Sequence, residues 1–474
     1  MSYIWYDRGN ALKLLGRVDE AITSSNKSIE IISKFPHSWN SYGHILKAVK
    51  RYEEAINSYD KAIEINIKTQ ASQFLDTGHR SLLVTVKNLD QYTVLKNRGD
   101  VSKLLERDEE SINSYDQALE IKPDYHQAWN RKGIALLNLE KNKEAIICFD
   151  KAIEIQPDNY GYWYDKGNAL KRSGRLEVAI YCYDKALPLK PDYQLAINKR
   201  QEVINKLAVS EYDKAEKLRQ LGKFEEAIAD YDKALKINPD FYEAWKYRGD
   251  VLRDLERCEE AISSYNKAIE IKPDYHEAWN NRGLALDRLR RYEEAIASYD
   301  KALDIKPDEQ MYINNRKKIM EKLAISEYNK GENLRESEKH EEAIASYEKA
   351  LELKPDYVNA WFHRGYVLYD LGRHEEVIAS YDKALEIKPD HHEAWYNRGI
   401  SLWSLGRFQE AIVSYDKALE FQLDYHEAWH NRGLALDRLR RYEEAIASYD
   451  KALKIKPDEQ SYINNRTNTM DRLK

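Results

Sequence analysis

Residues of three kinds in this sequence could take part in chemistry. His391 and His392 are adjacent and could ligate a metal ion. Acidic pairs such as Glu293 and Glu294 could supply carboxylates for acid–base catalysis, but they open amphipathic segments and suit the positive end of a helix. The histidine doublet falls in a connection between two such segments, which favours a solvated loop over a metal site. The third kind is cysteine, at positions Cys148, Cys182 and Cys258.

The motifs of common enzyme and cofactor sites are missing from the sequence. It contains no G-x-x-x-x-G-K-[ST] phosphate loop, no G-x-G-x-x-G and no H-E-x-x-H, and its cysteines lack the paired spacing of a zinc site. The cysteines form no disulfide framework and are expected to be buried or half-buried thiols in a reducing cytosol. We therefore predict that the protein is not an enzyme and has no catalytic, cofactor-binding or metal site.

The amino-acid composition and the start of the sequence exclude some kinds of partner and some cellular locations. Among 474 residues, 75 Lys and Arg face 81 Asp and Glu, so the net charge is −6 and a dedicated nucleic-acid binder is disfavoured. A hydrophobic fraction of 42% is too high for a disordered chain. The start, MSYIWYDRG, does not resemble a signal peptide, and no apolar run is long enough for a membrane span. We predict a cytoplasmic protein.

Tryptophan marks an internal period. Neighbouring tryptophans such as Trp245 and Trp279 lie 34 residues apart, and a glycine follows each periodic tryptophan by four residues. The longest repeated passage, residues 275–316, returns at 425–466 with three differences. A structural unit that stacks on itself explains such copies better than a duplicated catalytic motif. The periodic tryptophans are Trp5, Trp39, Trp129, Trp163, Trp245, Trp279, Trp361, Trp395 and Trp429.

Each unit predicts two amphipathic helices. AWNNRGLALDRL places Trp279 and Leu286 at helical spacing, and RRYEEAIASYDKALDI repeats this pattern. Gly283 and Ala302 are small, so the two helices can approach closely. Pro307 ends the second helix because its ring cannot continue the hydrogen-bond ladder.

A 34-residue helix–turn–helix with this pattern of Trp, Gly, Tyr, Ala and Pro resembles the tetratricopeptide repeat (TPR) family. The resemblance implies an all-α fold, an α-solenoid with a right-handed superhelix, whose first helices line a concave groove for protein partners. The similarity between copies resembles the amplified multi-repeat arrays of cyanobacteria and other bacteria. Twelve units are predicted, beginning near residues 2, 36, 92, 126, 160, 208, 242, 276, 324, 358, 392 and 426.

Insertions divide the predicted array. Residues 310–323 look like a first helix without its partner, and they either continue into the next helix or are separated from it by a cap at Ser326. The segment 70–91 is predicted to be irregular with some helix. The predicted organisation is units 1–2 at 2–69, the irregular insertion at 70–91, units 3–5 at 92–193, an inserted helix at 194–207, units 6–8 at 208–309, an inserted helix at 310–323, units 9–12 at 324–459 and a C-terminal capping helix at 460–474.

By the same resemblance, five places in each unit face the groove, and most copies hold polar residues there. One row of asparagines resembles the ladder by which O-GlcNAc transferases grip peptide backbones, although asparagine is also common at this place in the family. Its members are Asn97, Asn281, Asn329, Asn397 and Asn431. In the last units the groove places instead hold apolar and aromatic residues. These are Phe362, Tyr366, Tyr369, Tyr396, Ile400, Trp403 and Leu434.

Together with Asn397 and Asn431, these seven residues form the predicted partner-binding patch, called the aromatic patch below. Clustered aromatic residues in a groove are typical anchors for a partner. The alternative is drift in a tyrosine-rich array, with Trp403 half covered by its neighbours. We predict a non-catalytic scaffold or adaptor that binds peptide or helical segments of partner proteins. Two alternatives stay open: a regulatory or substrate-selecting arm of an enzyme such as an O-GlcNAc-type glycosyltransferase, and an assembly chaperone for a multiprotein complex.

Overall fold

The computed structural model describes residues 2–76 and 90–473. These residues contain 25 α-helices and no strand, and none of these helices is long and apolar enough to cross a membrane. The fold is therefore an all-α helical-repeat solenoid. In chain order the helices are α1 Ser2–Leu14, α2 Val18–Ile31, α3 Pro36–Ala48, α4 Tyr52–Asp76, α5 Gln91–Leu104, α6 Asp108–Ile121, α7 His126–Asn138, α8 Asn142–Ile155, α9 Tyr160–Arg172, α10 Leu176–Leu189, α11 Gln194–Gln220, α12 Phe224–Ile237, α13 Tyr242–Asp254, α14 Cys258–Ile271, α15 His276–Arg288, α16 Tyr292–Ile305, α17 Gln310–Glu336, α18 His340–Leu353, α19 Val358–Asp370, α20 His374–Ile387, α21 His392–Ser404, α22 Phe408–Phe421, α23 His426–Arg438, α24 Tyr442–Ile455 and α25 Gln460–Leu473.

The chain divides into two compact units. The first comprises Met1–Glu216 and Asp232–Pro239, and the second comprises Lys217–Tyr231 and Asp240–Lys474. Within each, a first helix packs against the second helix of its own repeat, and that second helix packs against the first helix of the next repeat. The candidate site described below lies wholly within the second compact unit.

Most repeats bury one large ring between their two helices. This ring is a tyrosine of the second helix, or Phe149 in one repeat, and the alanines around it are fully buried as well. Burying a large side chain at the same place in successive repeats gives a continuous core from short helices. The fully buried tyrosines are Tyr59, Tyr115, Tyr183, Tyr231, Tyr265, Tyr299, Tyr347, Tyr381, Tyr415 and Tyr449.

The periodic tryptophans tie each first helix to the loop before it. The indole Nε1 of Trp279 donates a hydrogen bond to the carbonyl of Pro273 at 3.0 Å. Trp429 makes the same bond to the carbonyl of Leu423 at 2.9 Å, so the interaction needs the backbone oxygen and not the proline ring. The same bond to a proline carbonyl recurs in the pairs Trp129–Pro123, Trp163–Pro157, Trp361–Pro355 and Trp395–Pro389.

In several repeats an arginine of the first helix contacts two second helices. Arg398 donates from Nε to Asp382 of the preceding second helix and from Nη1 to Ser414 of its own second helix, both at 2.6 Å. Because the guanidinium is planar with fixed donors, one side chain can bridge both helices. The bond to the repeat's own serine recurs at Arg98, Arg248, Arg282, Arg364 and Arg432.

The structure decides between the two readings of the inserted segment at 310–323. Helix α17 runs for 27 residues without a break, and Ser326 lies inside it and caps no helix. Glu327 stands where other repeats have tryptophan. It is buried, and its Oε1 accepts a hydrogen bond from Lys349 Nζ at 2.6 Å. The first helix of this repeat is therefore a continuation of the inserted helix.

The segment predicted to be irregular begins with helix. Helix α4 extends to Asp76, which makes the first residues of the predicted 70–91 insertion helical. Helix α5 begins at Gln91. The rest of that prediction, at 77–89, lies outside the described residues.

Candidate functional site

The aromatic patch lies on three neighbouring first helices, α19, α21 and α23, which contact one another in that order. Each of these helices begins after an X-Asp-Tyr or X-Asp-His turn and keeps its small buried face toward the second helices. The opposite face carries the residues at the groove places. We call this face, formed by the first helices, the groove face.

One cavity on the groove face is small and mostly apolar. It measures about 190 Å³, and we call it the Trp403 cavity. Ile400 and Leu434 are half-buried in its walls, and the side chain of Tyr369 is 40% exposed at its rim. The lining residues are Tyr369, Ile400, Trp403, Ser404, Tyr415, Asn431 and Leu434.

A second cavity on the same face is larger and mixes aromatic with polar groups. It measures about 400 Å³, and we call it the Phe362 cavity. Tyr366 is 45% exposed at this cavity and lies 6.0 Å from the Arg335 guanidinium. The lining residues are Arg335, Asn359, Phe362, His363, Tyr366, His391, Glu393, Asn397 and Tyr425.

Tyr396 is the one residue of the predicted patch that lines neither cavity. Its ring packs 4.7 Å from Tyr425 and 6.0 Å from Tyr415, each of which lines one of the two cavities. Its hydroxyl accepts a hydrogen bond from Asn431 Nδ2 at 3.1 Å. Burial raises the pKa of Tyr396 to about 12. Tyr396 therefore supports the wall between the cavities.

Trp403 differs from the periodic tryptophans. It is half-buried against Phe408 at 6.3 Å, and its indole Nε1 is buried with no hydrogen-bond partner among the described residues. An unpaired buried donor costs about 1–3 kcal/mol. A phenylalanine or leucine at this place would avoid that cost.

A polar network borders the Phe362 cavity, and sequence reasoning missed it. His363 Nδ1 lies 2.7 Å from Glu332 Oε1 and 2.9 Å from the Tyr328 hydroxyl, and Arg335 pairs with Glu332 at 3.0 Å. Burial opposes ionisation of Glu332, but the Tyr347 hydrogen bond and the neighbouring cations hold its pKa below the usual value. The network keeps a carboxylate and a guanidinium fixed at the cavity edge.

His391 lies in the connection directly before α21, as predicted, but its side chain is half-buried and not solvated. Its ring stacks on Phe362 with centroids 4.8 Å apart and an interplanar angle of 16°, and it lines the Phe362 cavity. Burial lowers the pKa of His391. Within residues 2–76 and 90–473, no group of three or more His, Cys, Asp or Glu side chains is placed to hold a metal ion.

The cysteines lie in the core. All three are free and buried, and burial raises the pKa of Cys148 and of Cys182 to about 11. A thiol with such a pKa is protonated near neutral pH and is a poor nucleophile.

Several asparagines of this row form side-chain hydrogen bonds within the protein. Asn281 Nδ2 donates to Asp250 at 2.7 Å, and Asn97 Nδ2 lies 3.2 Å from His44 Nε2. Asn431 donates to Tyr396, as described above. These three amides therefore each connect neighbouring first helices.

Sequence comparison assigns the family. Models described as "Tetratricopeptide repeat" match residues 2–35, 36–66, 94–125, 126–159, 148–180, 212–276, 276–309 and 396–459, and one described as "TPR repeat" matches 331–372 and 365–406. Together these matches cover most of the chain, which belongs to the tetratricopeptide repeat family. Comparison with curated proteins gives no match.

Solved structures with similar architecture are themselves TPR proteins or assemblies. The Naa15/Naa10 complex bound to HypK-THB is 14% identical over 98% of this chain and 78% of that chain, with a TM-score of 0.38. YrrB, a TPR protein with an unusual peptide-binding site, is 18% identical over 50% of this chain and 97% of that chain, with a TM-score of 0.24. The first TPR of Spaghetti (RPAP3) bound to the HSP90 peptide SRMEEVD is 23% identical over 24% of this chain and 92% of that chain, with a TM-score of 0.24. At these scores the similarities carry no functional conclusion for this chain.

Proposed function

We propose that this protein is a non-catalytic interaction scaffold, and that the aromatic patch binds an apolar or amphipathic segment of a partner protein. Repeat solenoids use the surface formed by successive repeats to bind partners. The patch offers two adjoining cavities, one apolar and one aromatic with polar groups at its edge. A partner segment would fit these two cavities if it placed an apolar side chain in the Trp403 cavity and an aromatic or amphipathic side chain in the Phe362 cavity.

Trp403 is the observation that carries the proposal. It breaks the period, lines a cavity on the groove face and buries an indole N–H that has no partner within residues 2–76 and 90–473. Tyr369 and Tyr366 continue the exposed aromatic surface along α19. Binding hot spots are enriched in tryptophan and tyrosine, and clustered exposed aromatic side chains mark interaction surfaces.

The test uses the full chain and a displayed library of random peptides. Peptides selected on the wild-type protein are measured by fluorescence anisotropy against the double variant Trp403→Ala/Tyr366→Ala. We expect their affinity to fall at least tenfold while the far-UV circular dichroism stays unchanged. Truncating two hot-spot side chains commonly has an effect of this size.

A matched control removes two exposed aromatic rings outside the patch. Tyr181 and Phe421 are 53% and 45% exposed and lie on second helices. The control variant Tyr181→Ala/Phe421→Ala should bind the selected peptides as the wild type does. Equal affinity of the patch variant and the wild type would show that the aromatic patch is not the binding surface.

A further inference from the structure

A large cavity in the second compact unit lies away from the aromatic patch, beside the inserted half of α17. It measures about 1070 Å³ and is bounded by the end of α16, by α17 residues 313–321 and by the end of α18. Ile313 is 38% exposed there. We call it the insertion cavity. Its apolar lining consists of Leu303, Pro307, Ile313, Met320, Leu353 and Pro355.

A complete repeat shows what normally covers this place. The equivalent groove around Trp361 measures about 540 Å³ and is lined on one side by Ala379 and Lys383 of α20, the second helix of the same repeat. Ile313 holds the place of Trp361, and Arg316 holds the place of Arg364. Among the described residues, the inserted helix has no second helix of its own at this place, and the insertion cavity has about twice the volume.

Within the described part of the chain, Arg316 does not make the hydrogen bond to the following second helix that the equivalent arginine makes in complete repeats. Its Nε donates to Asp300 of the preceding second helix, as in complete repeats. In complete repeats Nη1 of this arginine donates to a serine of the repeat's own second helix, as Arg364 does to Ser380 at 2.6 Å. In the inserted helix, Nη1 of Arg316 instead points to Met320 Sδ at 3.2 Å. A helix seated in the cavity would supply the acceptor.

Lys317 sets a further requirement for that helix. Complete repeats have glycine at this place because the tyrosine ring of the second helix lies against it. Lys317 lines the cavity, so a lysine side chain is present where complete repeats have none. A helix that docks here therefore needs an acidic residue where the chain's own second helices have tyrosine, since a carboxylate pairs with the ammonium group.

We infer that the insertion cavity binds an amphipathic helix of a partner protein, in the place of the absent second helix. The helix has a small and apolar face, a hydrogen-bond acceptor opposite Arg316 and a carboxylate opposite Lys317. This binding mode is helix-in-groove recognition. It uses none of the residues of the aromatic patch, so it stands apart from the function proposed above.

Two synthetic peptides test the inference on the full chain. The parent peptide is the protein's own second helix, YEEAIASYDKALDI, residues 292–305. The acidic peptide carries Tyr299→Glu, and both are stapled on the polar face because a short helix is otherwise largely unfolded in water. By fluorescence anisotropy, we expect the acidic peptide to bind saturably and at least tenfold more tightly than the parent peptide.

A variant of the protein should reverse this preference. Lys317→Gly restores the glycine of complete repeats, so it should bind the parent peptide at least tenfold more tightly than the acidic peptide. Met320→Arg should abolish binding of both, and Trp403→Ala/Tyr366→Ala should leave it unchanged. Circular dichroism confirms that each variant is folded.

Three outcomes would overturn the inference. The first is that neither peptide binds the wild-type protein. The second is that Lys317→Gly leaves the order of the two affinities unchanged. The third is self-association of the chain in analytical ultracentrifugation that Met320→Arg abolishes, which would assign the cavity to a second copy.

Discussion

A Cβ atom added to Gly283 would lie 2.7 Å from Cε1 of Tyr299. Tyr299 is fully buried between the two helices of its repeat, so its ring has no free space to move into. The glycine therefore sets the distance between the helices. The same contact recurs in the neighbouring repeats, between Gly249 and Tyr265 and between Gly365 and Tyr381.

Gly283→Ala should destabilise the protein although alanine favours helix. Overpacking a core costs about 1–3 kcal/mol, and the better helix propensity of alanine offsets up to about 1 kcal/mol of this. We expect the free energy of unfolding, from urea titration followed by circular dichroism, to fall by about 1 kcal/mol. Lys317→Ala is the matched control, because no second helix lies opposite that place, and it should leave stability nearly unchanged. A Gly283→Ala protein as stable as wild type would contradict this account of the packing.

Asn266→Asp should stabilise the protein. Arg282 is the member of the arginine series whose Nε is buried without a hydrogen-bond partner among the described residues, and burial lowers its pKa. The residue sixteen positions earlier, where Arg398 finds Asp382, is Asn266. A carboxylate there would accept the Nε hydrogen bond and should add about 1 kcal/mol. The thermal unfolding midpoint measures the gain.

The reverse exchange, Asp382→Asn, is the control for this prediction. It replaces the carboxylate that pairs with Arg398 by a neutral amide and should lower the unfolding midpoint by a similar amount. If both exchanges shift the midpoint in the same direction, the arginine series does not stabilise the array as we describe.

His430 should make stability depend on pH. Burial lowers its pKa to about 4, with Glu459 as the charged group that opposes this shift, and Asn465 Nδ2 lies 3.3 Å from its Nε2. In the unfolded chain the imidazole has its ordinary pKa of about 6.5. Below that pH the imidazole is protonated in the unfolded state but not in the folded state. The free energy of unfolding therefore falls as the pH drops from about 6.5 to about 4.

The variant His430→Asn isolates this contribution, because the copied repeat has Asn280 at the same place and Asn315 donates to it at 3.0 Å. At about 1.4 kcal/mol per pKa unit, the loss of stability between pH 7 and pH 4 should be smaller by about 3 kcal/mol in the variant. Urea unfolding at the two pH values measures the difference. Parallel losses in wild type and variant would mean that His430 titrates normally in the folded protein.

The sequence predicted the repeat pattern well because its signals are local. Each repeat is marked by helical spacing, by a glycine opposite the tyrosine and by a terminating proline. These signals act within one unit, so periodic residues such as Trp279 and Gly283 indicate most of the repeat architecture. The continuity of α17 was left open, since Ser326 could have capped a new helix and only packing decides such a case.

The candidate site was predicted less completely because it is made between repeats. Eight of the nine residues of the predicted patch line the two cavities, but Tyr396 lies beneath them. His391 and Arg335 were missed, since His391 stacks on Phe362 and Arg335 lies at the end of the continuous helix α17. The insertion cavity was missed as well, because its width depends on where the end of α18 lies.

Hydrogen–deuterium exchange on the full chain tests the central claim most directly. A peptide selected on the wild-type protein is added, and exchange of backbone amides is compared with and without it. We predict that protection concentrates in α19, α21 and α23, and that it disappears in Trp403→Ala/Tyr366→Ala. Protection confined to other helices, or unchanged protection in the double variant, would contradict the assignment of the aromatic patch as the binding surface.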